Sequence, residues 1–139
     1  AEYEGEWRQG VRHGQGKLRE PSGKVYEGAW QNGVPAGFGK CVYADGVVYI
    51  GQLKDGLRNG QGKLHNTDGS TYSGGWSNDA YDGIGTFLSA DSLSSYKGSW
   101  MCGMRHGHGV SRERQSRACA EEVYDGEWLR DARSGRGRA

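Results

Sequence analysis

The sequence predicts an all-β fold: an elongated, twisted, single-layer antiparallel sheet of about six tandem hairpins. Three observations predict it. First, a motif returns every 23 residues, as Tyr3-Glu4-Gly5-Glu6-Trp7, Tyr26-Glu27-Gly28-Ala29-Trp30, Tyr49-Ile50-Gly51-Gln52-Leu53 and Tyr72-Ser73-Gly74-Gly75-Trp76. A fixed period over most of a chain marks a repeat array, in which each unit buries its apolar face against its neighbours. Second, Tyr3, Gly5 and Trp7 alternate with Glu4, Glu6 and Arg8. Period two is that of a strand with one apolar face. Third, Ser22-Gly23, Asp45-Gly46 and Asp68-Gly69 recur between the strand-like runs, and Asp-Gly is a tight-hairpin signal.

In unit one the first strand carries Tyr3 to Trp7. A glycine pair, Gly14/Gly16, follows eleven residues after the tyrosine, and Gly16-Lys17-Leu18-Arg19-Glu20 reads as the partner strand. The pair recurs as Gly37/Gly39, Gly60/Gly62, Gly83/Gly85, Gly107/Gly109 and Gly135/Gly137. A further glycine three residues after the Trp position stands at Gly10, Gly33, Gly56 and Gly103, and is replaced by Asp79 and Asp131 elsewhere. Unit three has Leu53 in the Trp position. Unit five begins 24 residues after unit four, at Tyr96-Lys97-Gly98-Ser99-Trp100, and unit six 28 residues later, at Tyr124-Asp125-Gly126-Glu127-Trp128. The connector before Tyr124 is five residues longer than in unit one, and its charged run from Ser111 to Arg117 reads as a solvent loop. The last unit reads as lacking its second strand.

The motif rings form two columns, one of Tyr3, Tyr26, Tyr49, Tyr72, Tyr96 and Tyr124, the other of Trp7, Trp30, Trp76, Trp100 and Trp128. Edge-to-face pairs between them replace a globular core, at about 0.5–1.5 kcal/mol each beyond area burial. Leu18, Cys41, Leu64 and Phe87 stack beside them. Gly5 is expected to make room for rings of neighbouring units. Gly14 and Gly16 are expected to supply positive φ and a close approach under the indole. Most of each ring is expected to be buried against the neighbouring repeat. A single-layer sheet has no second layer, so the free face of the ladder is expected either to line a groove or to be covered, and an exposed aromatic patch marks an interaction site.

Read as Y-x-G-x-W-x-x-G-x-x-x-G-x-G in six register-matched copies over essentially the whole chain, these residues resemble the MORN repeat (membrane occupation and recognition nexus). The resemblance implies one array over residues 1–139, expected to be part of a longer protein. It also implies a non-catalytic scaffold, because similar proteins serve in cytoskeletal and axonemal assemblies, at membrane contact sites and as targeting segments of enzymes. The expected partner is a protein segment or a second copy, in a cytoplasmic, cytoskeleton-associated setting that includes the cilium or flagellum. The alternatives are phosphoinositide recognition at a membrane surface, or an accessory role beside a catalytic domain outside this chain.

Composition sets bounds on these readings. The net charge is +1, and the basic excess is confined to residues 105–139, with 8 Arg against 6 acids. No global field therefore draws the chain to nucleic acid. No apolar run is long enough for a spanning helix. Glycine is abundant without a G-x-y period, which excludes collagen. Cys41, Cys102 and Cys119 are odd in number and have no C-x-x-C spacing, which suits a reducing compartment.

No catalytic constellation is present in the sequence. Gly14-Gln15-Gly16 is followed by Lys17-Leu18-Arg19, so it is neither a dinucleotide fingerprint nor a P-loop. His13 and His106 read as turn residues. Cys102, near His106 and His108, shares the exposed turn column of Gln9, Asn32, Asp55 and Asn78 and lacks the four convergent ligands of a zinc site. No metal or cofactor is expected. Cys41 reads as a small buried hydrophobe, and Cys119 as an insertion residue that is exposed and reactive if free of partners. Lys17, Lys40 and Lys63 form a column spaced for contact with anionic headgroups, or else a solvated outer face beside Glu4, Glu6 and Glu20. Self-association is expected at the end near Tyr124 and Trp128, with Arg130, Asp131 and Arg133 as a charged rim.

Overall fold

The alternation around each Tyr-x-Gly-x-Trp motif becomes the first strand of a hairpin, and the glycine pair lies inside the second. The computed structural model describes residues 2–116 and 120–138, the stretch 132–138 by its backbone. Six hairpins follow in order: β1 (Glu2–Arg8) with β2 (Val11–Arg19), β3 (Val25–Gln31) with β4 (Val34–Val42), β5 (Val48–Lys54) with β6 (Leu57–His65), β7 (Thr71–Ser77) with β8 (Ala80–Leu88), β9 (Ser94–Met101) with β10 (Met104–Glu113), and β11 (Glu122–Leu129) with β12 (Ala132–Arg138). All twelve strands form one open antiparallel sheet in sequence order. No helix occurs among the described residues.

The turn inside each unit is not the Asp-Gly pair. It is the two-residue link after the motif Trp, as at Gln9-Gly10 (φ 51° and 80°) and Asn78-Asp79 (φ 48° and 70°). Positive φ at both positions defines the type I′ turn, whose twist matches that of paired strands. Glycine, Asn and Asp suit such positions best, and Gln9, Cys102 and Arg130 adopt the same left-handed region at the first of the two. Ser22-Gly23 and its equivalents close the links between units: Gly23 N–H donates to the Glu20 carbonyl at 3.0 Å and Glu20 N–H to Lys24 at 2.9 Å. That is a three-residue loop with a glycine bulge. Moving the tight turn forward places His13 and His106 in strands, not in loops, and starts each return strand ahead of its glycine pair.

Two other expectations are corrected near the end of the chain. β12 is present and pairs with β11 through Trp128↔Arg133 and Leu129↔Ala132, so the last unit has its second strand. β10 continues to Glu113, so Ser111, Arg112 and Glu113 belong to the sheet and not to a loop. Ser111 takes the Leu18 column between Tyr96 and Tyr124 and is buried. Cys119 and Arg117 lie outside the described residues, as does the side chain of Arg133.

The core is one cluster running along the sheet. It joins Tyr26, Trp30, Tyr49, Leu53, Tyr72, Trp76, Tyr96, Trp100, Tyr124 and Trp128 with Cys41 and Leu64. Each unit has a bulge where the register jumps, as from Gly5↔Gly16 to Trp7↔Arg12. Across it the motif hydroxyl donates to the carbonyl three residues on, for example Tyr49 to Gln52 at 2.7 Å and Tyr72 to Gly75 at 2.8 Å. The glycines serve this arrangement in a way the sequence did not reveal. A Cβ at Gly16 would strike the Tyr3 ring of its own hairpin, and one at Gly5 would strike the Gly16 backbone. The collisions are within a unit, not with a neighbour's rings, and Gly16 lies under the phenol rather than the indole.

Candidate interaction surface

The columns of rings lock one unit to the next. Trp30 Nε1 donates to the Gly16 carbonyl (3.1 Å), Trp76 to Gly62 (3.0 Å), Trp100 to Gly85 (3.1 Å) and Trp128 to Gly109 (3.3 Å). The same indoles meet the tyrosine of the preceding unit edge to face, as in Tyr49–Trp76 (5.2 Å, 84°) and Tyr96–Trp128 (5.4 Å, 88°). A buried indole N–H needs an acceptor, and Gly16, Gly62, Gly85 and Gly109, each the second glycine of its pair, supply one.

These rings do not form an open aromatic groove. Tyr26, Trp30, Tyr49, Tyr72, Trp76, Tyr96, Trp100, Tyr124 and Trp128 are all buried, and only the end unit opens, with Tyr3 half-buried and Trp7 59% exposed. Burial raises the tyrosine hydroxyls: Tyr26, Tyr49 and Tyr96 are pushed up to about 12, and Tyr72 and Tyr43 rise further. Leu53 is also buried in the missing Trp position, and half-buried Tyr43 packs against the same core. Cys41 is buried and its thiol is raised by that burial, as befits a packing residue. Cys102 is exposed in its turn.

What covers the ladder is a column absent from the motif, the second residue of each return strand: Arg12, Pro35, Arg58, Tyr81 and Arg105. The Arg58 guanidinium lies 4.8 Å from the Trp76 ring centre and Arg105 lies 4.2 Å from Trp128, in cation–π contact. Tyr81 stacks on Tyr72 at 3.8 Å with 9° between planes. The carbonyl of each column member accepts the turn N–H of the next unit, as Gly33 to Arg12 (3.0 Å), Gly56 to Pro35 (2.9 Å) and Asp79 to Arg58 (2.9 Å).

Asp79 and Asp131 add a clamp. Asp79 Oδ1 accepts from Arg58 N (2.7 Å) and Nε (3.1 Å), and its carbonyl accepts from Nη2 (3.1 Å). Asp131 repeats this on Arg105 at 2.7, 3.2 and 3.0 Å. The sequence signal for the clamp was the pair of departures from the turn-glycine column, each one unit after an Arg.

Two concavities lie along this face. One, of about 300 Å³, is lined by Arg58, Leu64, Trp76, Asp79 and Tyr81. The other, of about 220 Å³, is lined by Arg12, Leu18, Trp30, Gly33 and Pro35, with Glu20 and Lys24 at its side. On the opposite face Lys17 pairs across strands with Glu4 and Glu27, Lys40 with Glu27 and Ile50, and Lys63 with Ile50 and Ser73. Lys17 Nζ is 3.7 Å from Glu27 Oε2. Acids thus interleave the lysine column at its start. Phe38 (65% exposed) and Ile84 (64%), each in the middle of a glycine pair, also stand out from the sheet.

The repeating geometry has a counterpart in known sequences: the family model of the MORN repeat matches residues 3–25, 26–48, 49–71, 72–94, 96–112 and 124–138. The chain belongs to the MORN repeat family. No curated protein matches it. MORN repeats are not a catalytic family. Among the described residues of this MORN array no three His, Cys, Asp or Glu side chains group as a metal site, and no helix is long and apolar enough to cross a membrane.

Proposed function

We propose that this MORN array is a non-catalytic scaffold that binds a protein segment or a second copy of itself. The observation that carries this reading is Trp7. Every other motif indole is buried against a preceding strand, whereas Trp7 on β1 is 59% exposed. Among the described residues, β1 and β12 are the outer strands of the sheet, with no strand beside their outer edges. Such an edge presents unpaired N–H and C=O groups to an incoming strand, and Trp7 adds an apolar anchor with an indole N–H in need of a carbonyl. A strand whose small residues let its carbonyl approach, as the glycine pairs do inside the array, fits this edge. The Tyr124–Trp128 end differs from this one: both of its rings are buried, and β12 completes its hairpin and forms the other outer strand.

A cytoskeletal or axonemal setting in the cytoplasm, including the cilium, rests on the family resemblance alone, as does an accessory role beside an enzyme. Phosphoinositide recognition is the weaker reading, since Glu4 and Glu27 flank the first lysines of the Lys17, Lys40 and Lys63 column. Light scattering on the intact chain, with cross-linking and mass spectrometry, tests the scaffold. Association through β1, reduced by Trp7→Arg, is expected. A strict monomer that cross-links to no partner in extracts of its own cells overturns the proposal.

A further inference from the structure

The two concavities on the aromatic face are the same site two units apart. Arg12, Leu18, Trp30, Gly33 and Pro35 of one correspond to Arg58, Leu64, Trp76, Asp79 and Tyr81 of the other, each displaced by two 23-residue periods (58 − 12 = 46). Their frames match as well: Trp7↔Arg12 and Leu53↔Arg58 are the equivalent pairs beyond the bulge. One difference decides the chemistry. In the Arg58 site the arginine is already bound by the carboxylate of Asp79, and the Arg12 site faces Gly33.

The geometry points to the Arg12 site as a receptor for an aspartate residue of a partner protein. What the site takes is defined by how Arg58 and Arg105 are satisfied. In both, one carboxylate oxygen accepts the backbone N–H and Nε of the arginine, and the backbone carbonyl of the same aspartate accepts Nη2. That is recognition of an aspartate within a polypeptide, by three donors held in place. Arg12 offers the same donors. Its guanidinium rests 5.4 Å from the Trp30 ring centre and 5.2 Å from Tyr3, and no carboxylate among the described residues forms an ion pair with it.

The space is open too. A Cβ at Gly33 would meet only the Val11 side chain, at 4.0 Å. Beside it, Leu18, Tyr26, Trp30 and Pro35 line about 220 Å³, room for an apolar side chain next to the aspartate. Lys24 and Glu20 share the rim, so with Arg12 the site carries one net positive charge, which favours an acidic ligand. The next site along is the internal control. Pro35 has neither a backbone N–H nor a cation and faces Gly56, so it offers a carboxylate nothing.

The inference deepens the scaffold reading and rests on it. The test uses the intact chain and acetyl-Asp-Leu-amide as probe, followed by NMR at the Arg12 Nε–H and the Trp30 indole N–H. A saturable shift is expected. It is expected to weaken about tenfold or more with acetyl-Asn-Leu-amide, because the charge-assisted bonds are lost. Gly33→Asp supplies the carboxylate in cis, at a turn φ of 84° close to the 70° of Asp79, and is expected to raise Tm and abolish binding. Arg12→Gln is expected to abolish binding, and Gly56→Asp to leave it unchanged. Equal shifts with the Asn probe, unchanged binding in Gly33→Asp, no shift at all, or equal affinity for inorganic phosphate would each overturn the assignment. Partners cross-linked equally by the wild type and Gly33→Asp remove this site and leave the scaffold standing.

Discussion

Asp79 Oδ1 lies 2.7 Å from the backbone nitrogen of Arg58 and 3.1 Å from its Nε, across 21 residues of sequence. The contact joins the turn of unit four to the return strand of unit three and presses the guanidinium onto Trp76. A residue that breaks the turn-glycine pattern is thereby a fastening between units. Replacing it separates two effects. Asp79→Gly removes the two hydrogen bonds to the carboxylate, leaves the backbone carbonyl that accepts Arg58 Nη2, and keeps a residue suited to φ 70°. With Asp79 42% exposed, solvent screening limits the loss to about 1 kcal/mol. Asp79→Ala adds left-handed strain of about 1 kcal/mol more. Urea denaturation of both variants checks this, and equal losses would remove the backbone part of the argument.

The indoles differ by position. Trp30→Ala removes a buried ring that bonds to Gly16 and meets Tyr3 and Tyr26 edge to face, so a loss of about 3–5 kcal/mol is expected. Trp7→Ala removes an exposed ring at the open edge, and a loss within about 1 kcal/mol is expected. Thermal melts in dilute solution compare them. Equal shifts in Tm would contradict the junction-by-junction burial.

The glycines divide in the same way. Gly62→Ala drives a methyl into the Tyr49 ring and is expected to cost about 1–3 kcal/mol, as overpacking does. Gly10→Asn places its Cβ where no atom lies within 4 Å and keeps a residue that accepts φ 80°, so a change within about 0.5 kcal/mol is expected. Chemical denaturation of the two variants measures the difference.

The ladder and the edge-to-edge hairpins were legible because a 23-residue period fixes which residues share a column before any contact is known. The covering of the ladder was not. Arg12, Pro35, Arg58, Tyr81 and Arg105 differ in chemistry, so the column carries no shared letter, although each member packs against the rings or accepts the next turn's N–H. Of the two expectations for the free face of the ladder, a groove or a cover, this column makes it the cover. The tight turn was misplaced because Asp45-Gly46 imitates a two-residue hairpin, while the real turns hold Gln9, Asn32, Asp55, Asn78, Cys102 and Arg130 at φ near 50°. Ser111 was read as loop because the longer connector conceals its place two residues after Gly109.

Alkali should unfold the array through its tyrosines. Tyr26, Tyr49 and Tyr96 ionise near 12 when folded, against an ordinary 10.0, because burial opposes the phenolate. The unfolded chain therefore gives up these protons first. Their contribution to stability is fully present below pH 10 and is lost as pH rises from 10 through 12. Phenolate absorbance and tryptophan fluorescence recorded together are expected to change in one cooperative step. Phenolate formation that precedes any change in fluorescence would contradict the burial of the hydroxyls.

The lysine column makes an opposite prediction about membranes. A basic residue near an anionic surface is worth about 1 kcal/mol, so three aligned lysines would support measurable binding if nothing opposed them. Here Glu4 and Glu27 flank Lys17, and Glu27 also faces Lys40, which leaves Lys63 as the member with no acid directly across either strand. The acids offset much of that attraction, and the remainder is screened over about 8 Å at physiological ionic strength. Vesicles containing phosphoinositide are therefore expected to bind the array weakly at low salt and to release it at physiological salt. Replacing Lys17, Lys40 and Lys63 with Glu should reduce the low-salt binding without altering Tm by more than a few degrees, because all three face away from the ring cluster. Flotation that finds tight, headgroup-selective binding at physiological salt, abolished by that triple substitution, would make this face a lipid site and displace the protein scaffold as the leading reading.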